Sequence, residues 1–306
     1  MTPSPESQQM VIVTGASTGI GAATARELAR RGFHVLAGVR RDRDAEAIRG
    51  PGIEPLLIDI TNTEHVHTLA ARVDQDPQGR QLRAVVNNAG MGVNVPVETF
   101  PMESWRKLFE VNLFGHVAVT QAVLPALIRS KGRVINISSV GGKVAMATYG
   151  PYAATKFALE AVSDALRREL SATGVQVVVV EPGAVSTEMP SRAVAAANDL
   201  AAAMTPEQQL RYGGLVRAVN AQTVAHTTSC LPADAAAIVI ATAVTARRPR
   251  TRYTVGREAA LIRFTRFMPD RALDRALAAA LRPHYRAGDR PGSLSGCASP
   301  ARVATQ

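Results

Sequence analysis

The sequence predicts an α/β protein built on a single Rossmann-type, doubly wound parallel sheet of about seven strands flanked by helices. Three observations predict it. Short apolar runs alternate with longer stretches of helical periodicity. The runs are apolar almost throughout, as strands covered on both faces must be. The first of them leads straight into a glycine-rich turn that opens a helix.

Taken in order, the strands are predicted at residues 10–14, 34–39, 54–59, 84–88, 133–137, 176–181 and 253–255. Helices are predicted at 19–31, 63–73, 104–129, 152–172, 232–246 and roughly 259–281. Residues 1–9 read as a flexible tail, 10–286 as one nucleotide-binding domain, and 287–306, rich in Gly, Ser and Pro, as a disordered tail. Within the domain, residues 188–229 carry Ala, Met, Gln and Thr with few apolar periods. They read as a mobile, helical, substrate-binding insertion.

The chain has 306 residues, 46% of them hydrophobic and 20% charged, a composition that excludes a disordered chain, a collagen and a disulfide scaffold. Two cysteines, Cys230 and Cys297, fit a reducing compartment. The dense apolar run at 175–180 is far shorter than the roughly 20 residues of a membrane-spanning helix, and residues 1–9 lack a leader's pattern. The expectation is therefore a cytoplasmic protein without a transmembrane anchor. Net charge is +10, most of it beyond Leu231 and most of the cations Arg. The plain reading is a solvated surface; an anionic membrane or a phosphate-bearing substrate is the alternative. Nucleic acid is not expected, because aromatics are 4% and no basic–aromatic interleaving occurs. Residues 259–281 are basic and amphipathic, which suits packing on the sheet edge and leaves peripheral membrane contact open.

The turn reads Thr14-Gly15-Ala16-Ser17-Thr18-Gly19-Ile20-Gly21. Glycines there let backbone approach a pyrophosphate, and the helix start offers N–H groups to the anion. Gly15, Ser17, Thr18, Gly19, Ile20 and Gly21 are the candidate contacts. The second strand ends at Val39, without the acidic residue that would hold a ribose 2′-hydroxyl, and Arg40 and Arg41 follow. Guanidinium matches a 2′-phosphate, so NADP(H) is favoured over NAD(H), unless both arginines are merely solvated.

Hydride transfer to a carbonyl leaves an oxygen that needs a proton. Tyr152 and Lys156 lie four apart, on one helix face, where an ammonium favours phenolate. The spacing T-G-x-x-x-G-I-G, the element Asn87-Asn88-Ala89-Gly90, the Tyr152/Lys156 pair and Pro182-Gly183-Ala184-Val185-Ser186-Thr187 occur in that order. Together they resemble the short-chain dehydrogenase/reductase family over about residues 10–260.

The resemblance implies several roles. Asn112, Ser139, Tyr152 and Lys156 would be the catalytic tetrad: Tyr152 the acid and base, Lys156 its activator and a ribose ligand, Ser139 the partner of the substrate oxygen, Asn112 a support of the proton relay. The family's serine-to-tyrosine spacing selects Ser139 over Ser138 and Tyr152 over Tyr149. Asp59 and Ile60 would contact adenine, Ala89 and Gly90 would line the cleft, and Pro182, Gly183, Val185 and Thr187 would hold the nicotinamide amide. Asn87 stands open between a cofactor contact and an amide that ties strands together.

The catalytic helix and Arg250-Thr-Arg-Tyr253-Thr-Val-Gly256 are similar to the retinol and 17β-hydroxysteroid dehydrogenase branch, which implies a small lipophilic alcohol or carbonyl substrate. An acyl-thioester ketoreductase docking a carrier protein or CoA is the alternative, and a cofactor-sensing protein without activity the remote one. By resemblance a homodimer or homotetramer is expected. His65 and His67, two apart, cannot share a helix face, and no metal site is predicted. Asp164 reads as a surface charge, and Glu160 with Arg167 and Arg168 as reaching a neighbouring subunit.

Overall fold

The computed structural model describes residues 9–227, 230–256, 265–286 and Asp289. Seven parallel strands form the central sheet: β1 (Met10–Val13), β2 (His34–Val39), β3 (Ile53–Leu57), β4 (Leu82–Asn87), β5 (Arg133–Ile137), β6 (Gln176–Pro182) and, after a short pair described below, β9 (Arg252–Val255). Their order is β3-β2-β1-β4-β5-β6-β9, so the winding reverses between β1 and β4. A crevice opens at the carboxyl ends of the strands at that reversal, where open α/β sheets bind ligands.

Alternation along each strand builds a core on both faces. Val11 and Val13 face one layer with Ala25, Leu28 and Ile240, whereas Met10 and Ile12 face the other with Leu69, Val119 and Leu127. All four β1 residues are wholly buried, which explains why the run is apolar without interruption. Helices α1 (Gly19–Arg30), α2 (Asp42–Ile48), α3 (Thr63–Asp74), α4 (Met102–Phe109), α5 (Gly115–Ser130) and α6 (Gly150–Glu169) cross between the strands. A π-helical turn, Glu110–Phe114, joins α4 to α5, so Met102–Ser130 runs as one helix. By length and composition, with mean hydropathy 1.6, that helix would suffice to cross a membrane; half of its apolar window is buried, with Val119, Val123 and Leu127 in the core.

The insertion forms two helices, α7 (Glu188–Ala202) and α8 (Pro206–Thr227), clamped at their base by a parallel two-stranded pair, β7 (Val185–Ser186) with β8 (Leu231–Pro232). Helix α9 (Ala233–Thr245) then returns to pack on α1. Of the predicted helix at 259–281, residues 259–264 lie outside the described residues. The described part is α10 (Asp270–Leu281), and it corrects the expected packing: Leu281 joins Ala218 and Val219 of α8 rather than the sheet edge. A helix this rich in Ala has too little apolar reach to displace α9 from the sheet. Residues 1–8 and, apart from Asp289, 287–306 lie outside the described residues; Asp289 pairs with Arg217 of α8 at 2.6 Å.

Arg133 opens β5 almost fully buried and has no carboxylate partner among the described residues. Its guanidinium donates to Ala243 O (2.7 Å), Val244 O (2.6 Å), Ala246 O and Gln176 Oε1 (2.8 Å), while Arg83 Nε adds a bond to Val244 O at 3.1 Å. These are the carbonyls that the C-terminus of α9 cannot pair within the helix. Burial and the neighbouring Arg83 bring the Arg133 pKa down to about 10. Arg133→Met strands those carbonyls in the core and is expected to cost about 2–3 kcal/mol. Chemical denaturation with an unchanged slope and a lowered midpoint would register it; an unshifted midpoint would contradict the capping role.

Candidate active site

The phosphate turn is held by backbone packing that admits no side chain. Gly15 has φ +65°, and a Cβ on it would lie 2.7 Å from Ala89 Cα. A Cβ on Gly21 would lie 2.2 Å from Gly15 O and 2.4 Å from Asn88 Nδ2. Asn88 Nδ2 donates to Thr14 O (2.9 Å) and Gly15 O (3.1 Å), and Thr14 Oγ1 accepts from Asn88 N (2.9 Å) and Ala89 N (3.1 Å). The ends of β1 and β4 are thereby locked side by side. Thr18 caps α1 with extended backbone but makes no side-chain cap bond, and the first turn of α1 holds no acidic residue. The N–H groups of Gly19, Ile20 and Gly21, which have no partner inside the helix, remain to meet an anion. The cradle fits a nicotinamide dinucleotide: backbone donors, close approach and no competing carboxylate.

Around this turn the predicted residues divide. Ser17, Thr18 and Ile20 lie on it, and Thr187 comes over it, since a Cβ on Gly19 would stand 3.0 Å from Thr187 Cγ2. Gly90 faces Asn112 Oδ1 at 3.5 Å by the same measure. Pro182 and Gly183 close β6, with Gly183 N bonded to Val255 O at 3.0 Å, and Val185 is buried in β7. Asn87 is wholly buried; its Nδ2 donates to Thr120 Oγ1 (2.9 Å) and Asn136 Oδ1 (2.8 Å), which ties β4 to its neighbours, and its Oδ1 makes no hydrogen bond among the described residues. Arg40 is exposed at the end of β2 and makes no hydrogen bond among the described residues, whereas Arg41 is engaged with Asp44 at 2.7 Å. Asp59 accepts from Thr61 N (3.0 Å) and Oγ1 (2.7 Å), and Ile60 is buried beside it. Burial opposes the Asp59 charge, but Thr61 and Arg40 hold the carboxyl below its usual range. His65 Nδ1 accepts from Asp59 N at 3.0 Å.

Tyr152 and Lys156 share one face of α6, with Lys156 Nζ 5.9 Å from the Tyr152 ring centre. Lys156 is buried and donates to Ile137 O at 2.9 Å, at the end of β5. Burial pulls its pKa down to about 8, against a rise from Glu160. Burial pushes the Tyr152 pKa up, and the neighbouring Ser139 hydroxyl opposes that rise. Ser139 Oγ also accepts from Gly141 N at 3.1 Å, which caps the turn Val140–Gly142 and aims the hydroxyl at Tyr152. Ser138, the rejected neighbour, is buried with its hydroxyl unpartnered. Tyr149, the other decoy, packs against α8 with Leu215 and Tyr285.

Asn112 sits wholly buried in the π-helical turn. Its side chain is fully committed: Oδ1 accepts from Met91 N (2.8 Å), and Nδ2 donates to Met91 O (2.9 Å) and Thr155 Oγ1 (3.1 Å). It ties the β4 loop to α6, and its amide makes no bond to Lys156. His116, one turn on, holds Ala89 O at 2.6 Å; burial and the Lys156 charge push its pKa down to about 3, so it is a neutral donor. Thr14, Asn88, Thr155 and His116 were not singled out from sequence, though Thr14 and Asn88 lie inside the quoted motifs. Glu160 corrects another expectation. It points inward to Lys143 and Arg252 rather than outward to a neighbour, because both cations lie on other segments that α6 packs against.

An apolar wall flanks the phenol. Tyr152 and Trp105, with Leu200 from α7, pack against Val93, Val95, Phe100 and Leu108. The insertion is pinned to the opposite lip of the crevice by Arg211 and Tyr212, which reach Glu98 at 2.5 and 2.6 Å.

Comparison with known proteins agrees with this geometry. The short chain dehydrogenase family model matches residues 9–198. Retinol dehydrogenase 5 of Mus musculus is 33% identical over 292 residues, covering 89% of each chain. An NADPH-dependent 3-dehydrocapnine reductase of Ornithobacterium rhinotracheale is 33% identical over 273 residues, 86% of this chain and 94% of that one. The crystal structure of a short chain dehydrogenase from Burkholderia cenocepacia J2315, in complex with NADP, superposes with TM-score 0.69 at 27% identity, over 88% of this chain and 97% of that one. With more than half its length matched by the family model and relatives above 30% identity over most of both chains, this protein belongs to the short-chain dehydrogenase/reductase family of oxidoreductases.

Proposed function

We propose that the protein interconverts a lipophilic alcohol and its ketone or aldehyde with NADP(H), using Tyr152 as acid and base. The observation that carries this reading is the setting of one phenol: beside the Ser139 hydroxyl, a helical turn from a buried ammonium, and packed in an apolar wall from α4, α7 and the β4 loop. When bound, reduced nicotinamide supplies the hydride to the carbonyl carbon. Ser139 then orients the carbonyl oxygen, and Tyr152 gives that oxygen its proton; the reverse reaction returns the proton to Tyr152. Lys156 remains an ammonium below a pH of about 8 and favours the phenolate left behind. Val93, Val95, Phe100 and Leu200 exclude water and favour apolar substrate surface. The names of the relatives, a retinol dehydrogenase and an NADPH-dependent reductase, support the same class.

Arg40 supports the choice of NADP(H). It is exposed beside the crevice without a bonded carboxylate among the described residues, while Asp44 of α2 is engaged by Arg41. Arg41 is the weaker candidate because a 2′-phosphate would have to compete with Asp44.

Two measurements check the reading. Tyr152→Phe keeps the ring and loses the proton, so NADPH oxidation at 340 nm against a steroid, retinoid and long-chain carbonyl panel should fall by at least about 100-fold with NADPH affinity unchanged. Near wild-type turnover in that variant, or activity confined to acetoacetyl thioesters, would overturn it. Arg40→Ala should lower kcat/KM with NADPH by about tenfold or more and leave the NADH value in place; a wild-type preference for NADH would contradict the assignment.

A further inference from the structure

A cluster of charged side chains lies behind the reacting pair, and the proton transfer described above makes no use of it. Lys143, four residues after Ser139, places Nζ 2.7 Å from Glu160 Oε2 and 3.5 Å from Glu181 Oε1. Arg252, on β9, lies 3.0 Å from Glu160 Oε2, 2.8 Å from Asp164 Oδ1 and 3.3 Å from Glu181 Oε1. Glu181 is wholly buried immediately before Pro182, and Glu160 is buried one turn beyond Lys156. Glu160 Oε1 and both Glu181 oxygens make no hydrogen bond in the structure. Carboxylates taken this far from water are costly unless they serve the groups around them.

The cluster joins the three segments that carry the site. Glu160 and Asp164 belong to α6, Lys143 to the turn that follows Ser139, and Glu181 to the strand leading into Pro182-Gly183. The joint is tight at Gly142, where a Cβ would lie 3.1 Å from Glu160 Cγ and 3.2 Å from Lys156 O. The Ser139 turn therefore sits directly on the stretch of α6 between Lys156 and Glu160.

We propose that Glu160 is a positioning residue for the proton transfer: four residues from Lys156 on the same face of α6 and 2.7 Å from Lys143, its carboxylate stands as counter-charge to the ammonium and, through Lys143, fixes the turn that presents Ser139 to Tyr152. The inference rests on Tyr152 and Lys156 being the reacting pair. Burial disfavours the Lys156 ammonium, and Glu160 is the carboxylate that opposes that effect. The other ionisable groups that act on Lys156 are His116 from α5, which is neutral, and Tyr152 on its own helix. Facing Glu160 are Lys143, Arg252, Glu181 and Asp164. A cation that shares Glu160 weakens its hold on Lys156, so removing Glu160 and removing Lys143 act with opposite sign.

The chain contains four lysines, Lys107, Lys131, Lys143 and Lys156, so carbon-13 labelling at lysine Cε gives an NMR titration that Lys156→Met assigns. In the full-length protein without nucleotide, Lys156 should titrate near 8. Glu160→Gln should lower that midpoint by roughly half a unit or more, Glu160→Asp should restore part of it, and Lys143→Gln should raise it. With NADPH and 9,10-phenanthrenequinone as probe, the fall of kcat/KM at high pH should move to lower pH in Glu160→Gln, because the ammonium is lost sooner, while KM for NADPH changes little. A Lys156 midpoint unmoved in all the variants that fold overturns the inference; if Glu160→Gln does not fold, Lys143→Gln and Glu160→Asp decide it. Turnover retained by Tyr152→Phe would instead sink the reading of the reacting pair, a failure distinct from an unmoved midpoint.

Discussion

A buried ammonium on α6 is the constraint around which the site is arranged. Lys156 has left water, and burial works against its charge. The position is tenable because Ile137 O accepts from Nζ at 2.9 Å and because a carboxylate stands one turn further on. Both partners fix geometry as well as energy. The first attaches α6 to the carboxyl end of β5, where Ser139 follows; the second attaches it to the Ser139 turn and to the edge of the sheet. The phenol of Tyr152 is consequently delivered to one place, between the Ser139 hydroxyl and an apolar wall. Burial pushes the pKa of that phenol up.

The parallel sheet supplies the platform for this arrangement. Its winding reverses between β1 and β4, and the contact of Gly15 with Ala89 draws the two strand ends together at the mouth of the crevice. Buried polar links then hold the neighbouring strands in register: Thr14 with Asn88, and Asn87 with Asn136, which in turn donates to Ser163 of α6 at 2.8 Å. Each link satisfies a polar group that would otherwise be stranded in the core. Adjacent amides thus divide the work: Asn88 holds the nucleotide turn, and Asn87 with Asn136 registers α6 against the sheet.

Most of this was legible where the signal is local. Strands buried on both faces write themselves as apolar runs, so His34–Val39 and Arg133–Ile137 were read to the residue. Glycines forced by backbone contact mark the phosphate turn, and a four-residue spacing marks the Tyr152 and Lys156 face. Legibility failed where the cause is remote. Helix α2 is only seven residues long and buries just Ala45 and Ile48, too little apolar surface to show a period. The direction of Glu160 depends on Lys143 and Arg252, 17 and 92 residues away along the chain, and no periodicity encodes such partners. Likewise α10 has the pattern of a sheet-covering helix, and only the three-dimensional path shows that α9 already occupies that face while α10 rests on α8.

The central claim is that Tyr152 becomes an effective acid and base through Lys156 once the nucleotide is in place. Ultraviolet difference titration of the phenolate, taken as wild type minus Tyr152→Phe with NADP⁺ bound, measures it most directly. The account predicts a Tyr152 midpoint at least about one unit lower in that complex than in the unliganded protein, with most of the drop lost in Lys156→Met. Equal midpoints with and without nucleotide, or an undiminished drop without the lysine, would contradict it.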